Sequence, residues 1–127
     1  MNYFDWLNSL IEVVIDRIEN RLGKKFSYDL ELAFEAAKHS DALYKRDDCF
    51  HAPLVFLNKA QAEVIGVSHT YYNDEGIKKG LEEIADVFLG SCGHRELLHD
   101  FNNLGAGIAI GGIGREKIKI YFTIRLN

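Results

Sequence analysis

Apolar residues recur at helical spacing from the start of the chain. Phe4, Leu7, Leu10, Ile11, Val14, Ile18 and Leu22 form one stripe, and Asp16, Arg17, Glu19 and Asn20 fill the other side. A period near 3.6 marks an amphipathic helix packed on a core. Gly23 stands where a left-handed cap would end it, and Trp6 is expected to pack at the edge of the stripe. Asp29 is a good N-cap for a second helix, with Glu31 in its first turn where a negative charge suits the helix dipole. That helix places Leu30, Ala33, Phe34, Ala37 and Asp41 on one stripe, with Ala36, His39, Ser40 and Leu43 beside it, and ends around Lys45 to Asp48. A short third helix is expected from Asn58 to Ile65, closed by Gly66, with Glu63 in its last turn. A fourth, capped by Asn73 or Asp74, carries Ile77, Leu81, Ile84 and Phe88 at intervals of four, three and four; Gly90 through Gly93 then break it and deliver His94 at a turn.

The period changes in the last third. Ile118, Ile120, Phe122, Ile124 and Leu126 alternate with Lys117, Lys119, Tyr121, Thr123 and Arg125, the pattern of a half-buried antiparallel strand whose basic residues face solvent. Leu104 to Ile110 forms a second strand, joined to it by a glycine-rich hairpin from Gly111 to Glu116. Val67 to Tyr72 adds a third. No linker, repeat or low-complexity tract interrupts the 127 residues, so one domain is expected over 1–127. It is an α+β domain, an α-β-α sandwich with a small antiparallel sheet flanked by about four helices.

Composition narrows the function. Hydrophobic residues make up 47% and charged ones 27%, enough for a real core without staples. A net charge of -4 and a pI near 5.7 leave no broad basic face, which argues against nucleic acid. No stretch approaches the ~20 apolar residues of a membrane span, and the N-terminus lacks the basic start and apolar run of a signal peptide.

The candidate chemistry centres on two triplets, Cys49-Phe50-His51 and Cys92-Gly93-His94. Histidine moves protons and ligates metals near neutral pH. His94 and His99 are five apart, off the i, i+4 spacing of a zincin. His94-Arg95-Glu96 lacks the Pro-Cys-x-x-Cys that completes a zinc deaminase. The glycines from Gly105 to Gly114 lie in a strand and hairpin, not between a strand and a helix, so they are no phosphate loop; in a strand they permit close backbone approach. His39 reads as helix packing, and His69 and His99 as surface residues.

Several of these words together resemble the CAP superfamily, which holds cysteine-rich secretory proteins, antigen 5 and plant pathogenesis-related proteins, with many bacterial SCP-like members. The run from Phe26 to Leu43, with Ala36-Ala37 and His39-Ser40, resembles the family's "L…AA…HS..M" helix; Ala62-Glu63-Val64-Ile65 resembles "GENIA"; Phe88-Leu-Gly-Ser91-Cys-Gly93-His94-Arg95-Glu-Leu-Leu98 resembles the bacterial "W..SPGHR..L"; and Leu104 to Ala109 fits "IGVGVA". The resemblance implies an α-β-α sandwich with a cleft lined by His51, His94 and Glu63. Phe88 stands for the family tryptophan and Ser91 for the second glutamate, while Cys92 replaces a proline and no asparagine follows Glu63. The tetrad is therefore incomplete.

Such a cleft implies a binding protein, for a small molecule, lipid, protein or divalent ion, acting outside the cytoplasm as a secreted or cell-surface domain. Two imidazoles and a carboxylate suit zinc with one position open to water, and a zinc-dependent peptide or ester hydrolase with Glu63 as general base is the alternative. Without metal, Glu63 would orient one imidazole by a hydrogen bond. A structural surface or virion component is a third reading. Ser91, Cys49, Cys92 and Arg95 are expected to line or support the cleft. Cys49 and Cys92 are open to three readings: two small buried residues, a disulfide closing a loop of about 40 residues and worth ~2–4 kcal/mol, or thiolates in a closed zinc site.

Overall fold

The computed structural model describes residues 2–51 and 59–127. Its elements run in the order α1 (Tyr3–Leu22), β1 (Ser27–Tyr28), α2 (Leu30–Arg46), β2 (Ala62–Tyr71), α3 (Asp74–Gly90), α4 (Cys92–Asp100), β3 (Asn103–Gly111) and β4 (Lys117–Leu126). The helix ends follow local chemistry. The Asn2 side chain accepts from the Asp5 amide, and Gly23 closes α1 at φ 66° with its N–H on the Glu19 carbonyl. Asp29 accepts from the amides of Glu31 and Leu32, and Asp47 ends α2 in the left-handed region at φ 48°. Asn73 accepts from the Gly76 amide to start α3.

The four strands form one sheet in the order β1-β3-β4-β2. β4 is antiparallel to both β3 and β2, whereas β1 runs parallel to β3, so the sheet is mixed and not purely antiparallel. As an inner strand, β4 is covered on both faces. Ile118, Ile120, Phe122, Ile124 and Leu126 enter the core shared with α1 and α3. Tyr121, Thr123 and Arg125 turn to the other face and are also buried. The expectation of a half-solvated strand is corrected here: Arg125, placed on a wet face from its alternation, is 3% exposed.

The segment expected as a helix ending at Ile65 is a strand from Ala62 onward, while Asn58 lies outside the described residues. Ten consecutive pairings tie β2 to β4, from Ala62 with Leu126 to Tyr71 with Lys117. Val64, Ile65, Val67 and Thr70 suit a pleated surface, and pairing with a distant strand outweighs the short helical pattern. Helix α3 runs through Gly90, and α4 starts at once, so His94 sits in a first helical turn and not in a loop.

Helix α2 packs on β3 and β4, on the face opposite α1 and α3. Its buried residues are Leu32, Ala36, His39, Ser40 and Leu43, while Leu30 and Phe34 from the neighbouring stripe are exposed. The approach is close because β3 offers glycine. A Cβ on Gly105 would stand 2.1 Å from the Ala33 nitrogen, and one on Gly107 2.2 Å from that of Ala37. The Ser40 hydroxyl sits in the same contact, 2.9 Å from the Gly107 carbonyl and 2.8 Å from the Thr123 hydroxyl. No helix among the described residues is long and apolar enough to cross a membrane.

Candidate functional site

The register of the sheet builds the site. Glu63 on β2 lies directly opposite Arg125 on β4, on the face that meets α2. Both side chains are 3% exposed, and Arg125 Nε donates to Glu63 Oε2 at 3.0 Å. The other carboxylate oxygen, Oε1, stands 3.4 Å from His39 Nε2 and 3.2 Å from His51 Nδ1. His39 arrives from the buried stripe of α2, and its Nε2 also donates to the Phe50 carbonyl at 2.7 Å. A carbonyl and a carboxylate both accept, so Nε2 carries the proton.

The loop after α2 positions His51. The Asp47 carboxylate accepts from Lys119 Nζ and from the Tyr121 hydroxyl, tying the end of the helix to β4. Asp48 accepts from the Cys49 amide at 2.8 Å. The Phe50 ring is held edge-on to His39 at 5.1 Å and beneath the Arg46 guanidinium at 4.2 Å. His51 follows, its Nδ1 on Glu63 and its side chain 59% exposed. A carboxylate on Nδ1 fixes the proton there and leaves Nε2 as the lone pair available to a ligand.

His94 comes from the first turn of α4 and packs edge-on to Phe88, ring centroids 5.6 Å apart. Its Nδ1 is buried with no hydrogen-bond partner among the described residues. Burial, and to a lesser extent the charge on His51, hold the His94 imidazole below its ordinary pKa of 6.5.

Of the expected trio, Glu63 and His51 are in contact, while His94 sits on α4 against Phe88. The remaining expected residues stand around it. Ser91 ends α3 and begins α4 through its backbone, its carbonyl accepting from the Arg95 amide at 2.8 Å. Arg95 is exposed and reaches back to the Leu89 carbonyl at 3.5 Å. Cys49 and Cys92 are free and exposed, which corrects the reading of two buried residues. Burial, then the Asp48 charge, raises the Cys49 thiol pKa. Among the described residues no group of three His, Cys, Asp or Glu side chains is placed to hold a metal ion.

Two central residues were missed from the sequence, His39 and Arg125. The signal for Arg125 lay in pairing: a basic residue opposite an acidic one in two strands that only the assembled sheet aligns. His39 is next to Ser40, which binds the same sheet face, so the helical phase that buries one buries the other.

No protein-family model matches the sequence, and no curated protein sequence matches it. Solved structures do match the backbone. An outer surface protein of Borrelia burgdorferi aligns over 98% of this chain and 93% of its own, at 15% identity and a TM-score of 0.56. The crystal structure of MpPR-1i aligns over 100% and 90%, at 11% identity and 0.58. An extracellular SCP-domain protein of Bacillus anthracis aligns over 91% of this chain and 39% of its own, at 18% identity and 0.53. Together with the α-β-α layering, these matches show that the chain shares the fold of these proteins, one of which is described as containing an SCP domain.

Proposed function

We propose that this protein is a non-catalytic binding domain that works outside the cytoplasm and takes a polar ligand or a divalent ion between His51 and His94. The observation that carries this reading is the state of Glu63. Both of its oxygens face protein donors, Oε2 toward Arg125 and Oε1 toward His39 and His51, and its side chain is 3% exposed. A general base must reach the proton that it abstracts; this carboxylate is occupied in holding the architecture. A hydrolase using Glu63 as base is therefore the weaker reading.

The donor set fits a cation through the imidazoles. Ligating histidines commonly give their second nitrogen to a carboxylate that orients the ring, as Glu63 does for His51. His94 favours its neutral form and has a buried nitrogen without a partner among the described residues. A divalent ion would be held by His51 and His94, with Glu63 supporting His51 from behind, and would contribute a site of positive charge with water in its other positions. The location outside the cytoplasm is supported by relatives of the same fold described as an outer surface protein and an extracellular protein.

Calorimetric titration of untagged protein with zinc is the test, beside His51→Ala and His94→Ala. Saturable binding lost in both variants is expected. Binding that is equal in all three proteins, or negligible in all three, would remove the ion from the proposal. Ester or peptide turnover abolished by Glu63→Gln in folded protein would replace the whole reading with the hydrolase.

A further inference from the structure

The sheet has an incompletely paired edge at its other end, away from β2 and the histidines. Strand β1 covers β3 for two positions only, Ser27 opposite Asn103 and Tyr28 opposite Leu104, before the chain turns into α2. Asn103 and Asn127 exchange both backbone hydrogen bonds, at 3.1 and 3.0 Å. By the alternation of an antiparallel ladder, Gly105 and Gly107 then bond β4, and Leu104, Ala106 and Ile108 direct their N–H and C=O groups to the outer edge. The Leu104 carbonyl accepts from the Asp29 amide at 2.8 Å and that of Ala106 from the Tyr28 hydroxyl at 3.3 Å. The Ala106 N–H and both backbone groups of Ile108 have no such partner among the described residues.

That edge is the floor of a cavity of about 680 Å³. One wall is α1, with Leu7 and Ile11, and the other is α2, with Ala33 and Phe34. The mouth carries large apolar side chains that the fold leaves in solvent, Phe4 at 74%, Leu30 at 80% and Phe34 at 64% exposed. Clustered exposed apolar groups mark an interaction surface. Two carboxylates belong to the lining: Glu19 is engaged by the Phe26 amide at 2.8 Å and Lys25 Nζ at 3.5 Å, and Glu12 is exposed at the rim.

We propose that this groove binds an extended segment of a partner protein, alternating apolar and basic residues, which pairs with the open edge of β3 as an added strand. A strand edge flanked by a helix is the geometry by which sheet addition works: main-chain bonds supply affinity, and pockets for alternate side chains supply selectivity. The unpaired backbone groups of Ala106 and Ile108 provide the first, and the apolar walls the second. The exposed Glu12 carboxylate at the rim favours a basic residue on the partner strand. A purely hydrocarbon ligand would fill the walls but leave the buried backbone groups unpaired, which costs free energy. The site lies beyond the histidine cleft and stands independently of its function.

The test is fluorescence anisotropy with a labelled, end-blocked peptide of alternating lysine and valine, about seven residues long to match the rise of ~3.3 Å per residue along the edge. Saturable binding is expected, weakened about tenfold or more by methylating alternate backbone nitrogens, by replacing lysine with glutamate, and by Glu12→Lys or Phe34→Asp. Both protein variants alter exposed or rim positions, and a thermal melt confirms that they fold. The amide resonances of Ala106 and Ile108 should shift on binding, and His51→Ala should bind as the unaltered protein does. Absence of saturation, equal binding of the methylated peptide, or occupation by dodecylammonium alone would overturn the proposal, the last by making the cavity a lipid site.

Discussion

Glu63 and Arg125 form an ion pair with both side chains 3% exposed, and the imidazoles of His39 and His51 lean on the same carboxylate. Removing one member strands the other charge away from water, which costs more than the pair contributes when intact. Arg125→Ala should therefore lower the unfolding free energy by about 3–5 kcal/mol in urea denaturation. His94 gives a second expectation. Its folded pKa lies below the ordinary 6.5 because it is buried and near His51. Between those two values the unfolded chain binds the extra proton, so stability rises with pH across that window. The contribution is complete above 6.5 and is lost as pH falls through the folded value. In an NMR titration His94 should show its midpoint below 6.5, and His94→Gln should flatten that part of the stability profile. The contact of Glu63 with His51 was legible as one imidazole oriented by a carboxylate, because the neighbours of both residues form recognisable words. Arg125 was not, since alternation along a strand separates two faces without saying whether the second is wet.

Helix α2 rests on β3 through glycines, and the contact has no slack. Gly107→Ala would place a methyl 2.2 Å from the Ala37 nitrogen, so the helix must lift. A loss of about 1–3 kcal/mol, read from the thermal midpoint, is the expected result. Gly90 is the contrast: a Cβ there meets nothing within 4 Å, and Gly90→Ala should stabilise the end of α3 by ~0.5–1 kcal/mol. Helices α1, α2 and α3 were readable because each combines a long period with a cap that bonds its backbone, Gly23 at the end of α1 and Asp29 and Asn73 at the starts of α2 and α3, and the β3–β4 hairpin because two alternating runs flank a glycine-rich turn. The start of β2 was not, because Ala62 to Ile65 is too short to show a period and takes its conformation from β4. The brief α4 hid behind Gly90 and Gly93, which read as breakers. Strand β1, two residues long, exists only by pairing with Asn103 and Leu104.

Surface carboxylates tie the layers to one another. Asp86 on α3 holds Arg17 of α1, Asp47 ties α2 to Lys119 and Tyr121 of β4, and Asp29 at the start of α2 holds Lys59. Hydrogen bonds from these partners, led by Arg17, Lys119 and Lys59, hold all three pKa values below 3.8. Their contribution is present above 3.8 and is lost as pH falls through the folded values. Urea midpoints should drop below that pH, and Asp47→Asn, which tolerates the left-handed backbone, should drop less. The sheet order has a separate consequence, for the timing of synthesis. β2 is paired by β4, and α3, α4 and β3 are all made between them. At ~5–20 residues per second, a finished β2 waits seconds on the ribosome for its mate. A chain stopped at Glu116 should accordingly remain protease-sensitive, where the full chain resists. Until β4 emerges, β2 has no strand to pair with and stands apart from the short β1–β3 pair, the state in which a holding chaperone would act.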